Sequence, residues 1–234
     1  MTTLGLLETD ILYDDLLDDY GSYGQMFARF FDELNGGLEY RYYQVQQGEL
    51  PQHPDECDAY LITGSKAGVY DPLPWMTPLQ KWIADFYRRD AKLTGICFGH
   101  QIIAHSLGGY AEESARGWGV GVLATQVPNL DHQHDSRPGT LQLIHSHRDQ
   151  VITSPPGATR LAGSDFCPNA AMALGDTVLT FQGHPEFTPE YFRRLIGRRR
   201  QQIGEARYRA ALESLEQTTH HQYVGQWLLD FIKE

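Results

Sequence analysis

Leu93-Thr94-Gly95-Ile96-Cys97-Phe98-Gly99-His100-Gln101 reads as a short apolar strand that runs into a tight turn and then a helix. The helix continues from Gln101 to Leu107 and stops at Gly108-Gly109, where glycine accepts the left-handed cap. Gly-x-Cys-x-Gly between strand and helix has the form of a nucleophile elbow, with Cys in place of Ser. A residue on so sharp a turn is strained and needs small neighbours, which accounts for Gly95 and Gly99. The Cys97 side chain is then forced outward at the positive end of a helix dipole, a setting that favours thiolate. Taken alone, the turn fits either a nucleophile or a small buried thiol.

Outward from this turn, strands and helices alternate. Residues 3–7, 40–45, 59–62 and 178–182 are short apolar or β-favouring runs expected to be strands. Met26, Phe27, Phe30, Phe31 and Leu34 keep helical spacing over residues 23–34, and Leu79, Trp82, Ile83, Phe86 and Tyr87 do so over 78–89. The order predicts a three-layer α/β fold, an open, mostly parallel, flavodoxin-like sheet with helices on both faces. Residues 117–162 carry β-like segments (120–126 and 141–144) among Gly, Pro and Asn, and read as an antiparallel β excursion. A polar, helix-favouring C-terminal extension follows over 189–234. With no repeat or linker, the 234 residues are expected to form a single domain. Active residues in such sheets lie beyond the strand C-termini, which selects the loops at 63–69, 97–101 and 182–187.

A net charge of −11 would repel a nucleic-acid backbone, and Asp10, Asp14, Asp15, Asp18 and Asp19 all precede the first basic residue, Arg29. That acidic start lacks the features of a secretory signal, and no run is apolar and long enough to span a bilayer. No nucleic acid, no membrane and a cytoplasmic location are the expectation. The three cysteines, Cys57, Cys97 and Cys167, are too widely spaced for a disulfide framework or CxxC site. Cys57 and Cys167 lack flanking glycines and read as structural.

Acyl transfer to a cysteine requires an imidazole to move the proton and a carboxylate to orient that imidazole. His184 and Glu186 stand two residues apart after the late strand, where alternate side chains share a face, and Pro185 stiffens the link. The pair is more specific than either residue.

Gly95 to Gln101 followed by His184-Pro185-Glu186 resembles the G-x-C-x-G-x-Q and H-P-E motifs of class I glutamine amidotransferases. Leu61-Ile62-Thr63-Gly64-Ser65 with Val69-Tyr70-Asp71 resembles that family's oxyanion loop, and His145-Ser146-His147-Arg148-Asp149-Gln150-Val151 its S-H-x-D-x-V segment. The likeness extends to stand-alone proteins similar to the glutaminase domain of GMP synthase. It implies attack of Cys97 on a γ-amide, a γ-glutamyl thioester, and His184 and Glu186 completing a Cys-His-Glu triad. It further implies an oxyanion hole from Gly64, Ser65 and Phe98, substrate contacts at Gln101, Ser146 and His147, and no cofactor. Thr63-Gly64-Ser65-Lys66 departs from the Gly-Gly-Pro of many members, so the loop donor stays open. An ammonia-accepting synthetase would have to be a separate partner.

His132-Gln133-His134-Asp135, with His145 and His147 behind it, resembles a metal cluster, but Asn129, Asp131, Pro138 and Gly139 describe a solvated loop, and no metal is expected. Arg193, Arg194, Arg198, Arg199 and Arg200 read as a solvated, ion-paired helix face. Three functions fit: a glutaminase passing ammonia to a synthetase, a stand-alone γ-glutamyl peptidase or hydrolase, and a non-catalytic relative.

Overall fold

The computed structural model describes residues 2–128 and 138–234; the metal-like His132 to Asp135 segment lies outside the described residues. The first half alternates as the sequence periodicity predicts. It comprises β1 (Thr2–Glu8), α1 (Asp14–Tyr20), α2 (Tyr23–Glu33), β2 (Leu38–Gln44), β3 (Ala59–Ile62), α3 (Met76–Arg88), β4 (Lys92–Ile96) and α4 (Phe98–Ser106). Strands dominate the middle: β5 (Tyr110–Glu113), β6 (Gly119–Gln126), β7 (Thr140–His147), β8 (Asp149–Thr153), β9 (Thr159–Ala162), β10 (Ala171–Leu174) and β11 (Val178–Phe181). Three helices follow, α5 (Pro189–Ile203), α6 (Glu205–Ser214) and α7 (His221–Lys233). Among the described residues, no helix is long and apolar enough to cross a membrane.

Seven strands form the central sheet in the order β2-β1-β3-β4-β11-β10-β9. The strands from β2 to β11 run parallel, and β10 and β9 add an antiparallel edge. Side-chain alternation builds the layers. Leu4, Leu6, Ala59 and Leu61 point to one face, against Phe27 and Phe31 of α2 and Val224, Leu228 and Leu229 of α7. Leu7, Tyr60 and Ile62 point to the other, against Leu79, Ile83 and Phe86 of α3 and Phe98 and Ile102 of α4. Each fully buried Leu or Phe contributes roughly 1.5–3 kcal/mol of burial. Two small antiparallel sheets lie beside this sheet: β6 with β7, where the β excursion is expected, and β5 with β8, whose β5 precedes the expected range, while β9 within that range joins the central sheet.

Several expectations need correction. Helix α4 begins at Phe98 instead of Gln101, because Cys97 itself occupies the N-cap position. The acidic start is partly helical: α1 buries Leu16, and its Asp19 meets Arg194 at 2.5 Å. The C-terminal region is three helices, and α7 is core, with Val224, Leu228, Leu229 and Ile232 at most 2% exposed. Strand β10 has no signal in its Ala-Met-Ala-Leu sequence, whose residues favour helix; pairing with β11 and β9 decides its state.

The topology has one consequence for chemistry. Strands β3, β4 and β11 are adjacent and parallel, so the loops that leave their C-termini emerge side by side. Glycines let the elements close up there: a Cβ on Gly99 would stand 2.1 Å from the Ile62 carbonyl oxygen, and one on Gly95 2.4 Å from the Gly99 carbonyl carbon. Gly99→Ala is therefore expected to destabilise the protein by at least ~1–3 kcal/mol, read as a lower urea midpoint at unchanged m-value.

Candidate active site

Cys97 adopts φ 56° and ψ −103°, a left-handed backbone for a residue with a Cβ. Its N–H donates to the Phe181 carbonyl of β11 at 2.9 Å, and its carbonyl accepts from Gln101 N–H at 3.1 Å to start the helix. Phe98, as first helical residue, has an N–H without an intrahelical acceptor. The thiol is 5% exposed. Gly64 closes over it: a Cβ there would lie 3.1 Å from His184 Cε1 and 3.7 Å from Cys97 Cβ, so the three residues meet at one point.

His184 is held from four sides. Its Nδ1–H donates to Glu186 Oε1 at 2.8 Å, and its backbone N–H donates to the Ile144 carbonyl of β7 at 2.8 Å. Its ring stacks on Phe187, with centroids 3.8 Å apart and planes 6° from parallel. The remaining nitrogen, Nε2, is left for Cys97, to which the ring is hydrogen-bonded. Burial disfavours the charged imidazole, yet the Glu186 carboxylate and the Cys97 sulfur overcome it and raise the pKa to about 10. Both partners therefore favour the charged form of the His184 ring.

The surrounding histidines are the reverse. His147 Nδ1 lies 3.1 Å from the Asp149 carbonyl, which only accepts, so Nδ1 carries the proton and Nε2 accepts from His145 Nδ1–H at 3.2 Å. Burial pushes His147 down to about 3 and, with the nearby His147 and His184, lowers His145 as well. His100, between Thr180 Oγ1 at 2.8 Å and the Asn169 carbonyl at 2.9 Å, is pushed by burial to about 4.

The oxyanion-loop residues are fixed by the end of β1. Thr9 Oγ1–H is within reach of the Gly64 carbonyl at 3.2 Å, Ser65 Oγ–H donates to the Thr9 carbonyl at 3.1 Å, and Lys66 N–H donates to Asp10 Oδ2 at 2.8 Å. In a trans peptide the N–H points opposite to the carbonyl, so the Ser65 N–H is directed away from Thr9. The Ser65 side chain is committed within the loop, leaving its backbone as the free group.

A cavity of about 270 Å³ opens beside Cys97, walled by Tyr13, Lys66, Gln101, Trp118, Arg148 and Arg199 among others. The predicted substrate residues Gln101, Ser146 and His147 all line it, but each is already bonded. Gln101 Nε2 donates to the Asp149 carbonyl at 2.7 Å and to Gln182 Oε1 at 3.1 Å, leaving only Oε1 for a ligand. Ser146 Oγ accepts from Arg199 at 2.9 Å.

Arg199 corrects the reading of the arginine run. Arg194 and Arg198 pair with Asp15, and Arg200 with Glu205, but Arg199 turns inward. The signal was its spacing from Phe192, Leu195, Ile196 and Ile203, which places it on the buried stripe of α5. Trp118, in a Gly-rich segment without periodicity, had no such signal. Cys57 and Cys167 are buried and do not line the cavity; burial, with the nearby Cys97, pushes Cys167 up to about 12.

A family model described as glutamine amidotransferase class-I matches residues 15–199. γ-Glutamyl peptidase 5 of Arabidopsis thaliana is 31% identical over 186 residues, covering 76% of this chain and 73% of that protein. The glutamine-hydrolysing GMP synthase of Thermomicrobium roseum is 32% identical over 171 residues, 72% of this chain but 30% of its own. In solved structures, a glutamine amidotransferase from Thermotoga maritima superposes with a TM-score of 0.75 at 20% identity, covering 100% of this chain and 96% of its own. That likeness shows the shared fold.

The neutral histidines have a consequence for acid stability. An unfolded histidine takes its proton near pH 6.5, whereas folded His100 and His147 resist until about 4 and about 3. Stability present above pH 6.5 is therefore lost as pH falls toward 4, at up to ~1.4 kcal/mol per pH unit for each histidine. Urea midpoints at pH 7 and pH 5 should differ accordingly, and His100→Gln should flatten the slope.

Proposed function

Because the chain belongs to the class-I glutamine amidotransferase family, we propose that it is a cysteine hydrolase of γ-glutamyl amides, acting through a thioester on Cys97. The observation that carries the reading is the buried His184, bonded to Glu186 at 2.8 Å and to the sulfur of a cysteine on a left-handed turn.

The Cys97 sulfur attacks the γ-carbonyl carbon; a C–S bond forms and the carbonyl electrons move to oxygen. The N–H groups of Phe98 and of the Gly64-Ser65 loop stabilise that oxyanion, each donor contributing about 3 kcal/mol. The His184 imidazolium gives its Nε2 proton to the leaving nitrogen, the C–N bond breaks and the amine departs, as ammonia if the substrate is glutamine. Neutral His184 then takes a proton from water, whose oxygen attacks the thioester and expels the Cys97 sulfur with glutamate as product. Glu186 keeps Nδ1–H aimed at itself, so Nε2 faces the reaction throughout. Gln101, Ser146 and His147 line the substrate side. No step requires a cofactor or metal.

Relatives named as peptidases support the hydrolase reading: γ-glutamyl peptidase 3 of Arabidopsis thaliana matches over 76% of this chain and 74% of its own. A cytoplasmic location fits both readings. The second reading, a glutaminase feeding a separate synthetase, rests on the GMP synthase likeness and requires a partner that stimulates turnover.

Purified protein incubated with glutamine and γ-glutamyl peptides should show a γ-glutamyl adduct by intact mass. Cys97→Ala should abolish the adduct and lower kcat/KM by at least ~10³-fold. Unchanged turnover in Cys97→Ala would sink the proposal. The alkaline limb of the kcat/KM profile should report loss of the His184 proton near pH 10. Glu186→Gln removes the main charge that raises this pKa, so the limb should move to lower pH.

A further inference from the structure

Three cations border the cavity beside Cys97: Lys66, Arg148 and Arg199. Two are neutralised in place. Lys66 Nζ lies 3.0 Å from Asp10, and Arg148 Nε lies 3.2 Å from Asp149 and 3.5 Å from Glu113. Among the described residues, no carboxylate stands within ion-pair distance of Arg199. Its guanidinium is steered by neutral groups: one nitrogen donates to Ser146 Oγ at 2.9 Å and to the Ser146 carbonyl at 3.3 Å, and the group lies 5.6 Å from the Trp118 ring centroid. Arg199 also borders the narrow crevice that holds Gly64, Cys97 and His184.

We infer that Arg199, oriented by Ser146 and Trp118, forms a carboxylate subsite that selects anionic γ-glutamyl substrates; the substrate class rests on the hydrolase reading above. A guanidinium has five N–H donors in a planar fork that matches the two oxygens of a carboxylate, and Ser146 occupies one side of that fork. Placed on the inward stripe of α5, this charge loses part of its hydration and is compensated when an anion enters. Every γ-glutamyl compound carries such an anion on the α-carbon, and a peptide leaving group carries a second at its C-terminus. The protein as a whole bears a charge of −11, so a local cation without a partner gives the cavity a preference its surface lacks. Ser146 is then a positioning residue, and Arg199 touches the substrate.

The subsite can be read without chemistry in Cys97→Ala protein. Calorimetry would compare γ-glutamylglycine with two neutralised analogues, the α-carboxamide of its glutamyl group and γ-glutamylglycinamide. With Arg199 present, one neutralisation should weaken binding about ten- to hundredfold. Loss through the α-carboxamide assigns the subsite to the glutamyl carboxylate, and loss through the glycinamide assigns it to the leaving group. Adding Arg199→Met should erase that discrimination, Arg199→Lys should restore part of it, and Ser146→Ala should reduce it; thermal melting checks that each variant is folded. Equal discrimination in Arg199→Met and its parent, or none in the parent, overturns the inference. If Cys97-intact protein hydrolyses none of the three ligands while the binding pattern holds, the hydrolase reading fails and the subsite stands.

Discussion

The left-handed backbone at Cys97 holds because its surroundings leave no alternative. Such a conformation costs about 1–3 kcal/mol for a residue with a Cβ, and an isolated turn would relax. Here β4 is locked between β3 and β11, and the Cys97 N–H is taken by Phe181. On the far side of the turn, α4 is pressed onto β3 through Gly99, whose α-carbon lies where no side chain fits against the Ile62 carbonyl. The strain is carried by the central sheet, and the thiol projects where three parallel strands deliver their loops.

The electrostatics follow from that placement. The surroundings favour the charged form of one imidazole in the region and the neutral form of the others. Burial acts on all of them in the same direction; what separates His184 is a carboxylate 2.8 Å from its ring and a sulfur on its other nitrogen, while His145, His147 and His100 face carbonyls, hydroxyls or each other. His145 bonds to His147 and His147 to the Asp149 carbonyl within the S-H-x-D segment, and His100 joins Thr180 to Asn169. The β7 hydrogen bond to His184 couples the antiparallel excursion to the parallel sheet, so both parts of the fold must be in register for the imidazole to face the thiol.

Much of this was legible in the chain. The strands of the parallel sheet and helices α2 and α3 lie within two residues of where hydrophobic period places them, because each buries one face and exposes little ambiguity. Cys97, His184 and Glu186 stood out since short-range geometry, a tight turn and an extended pair, leaves a local trace. What escaped was non-local. Ala171 to Leu174 is a strand only because neighbours pair with it, and α1 is helical with its acids held by arginines about 180 positions away. Arg199 is visible as part of a charged run on a helix, but which of five arginines faces inward depends on helix phase.

The two halves of the site come from different parts of the architecture. Cys97, His184, Glu186 and the Gly64 loop hang from adjacent strands of the central sheet, whereas Arg199 and Gln202 belong to α5, which packs against β6 and β7 in a separate core with Phe187 and Tyr191. On the proposed reading, bond-breaking is supported by the sheet and ligand choice by α5, and the two meet at the crevice that Arg199 shares with Cys97 and His184. A change on the inward face of α5 would then alter the cavity wall at Arg199 and Gln202 while the turn at Cys97 stays held by Phe181 and by Gly99 against Ile62.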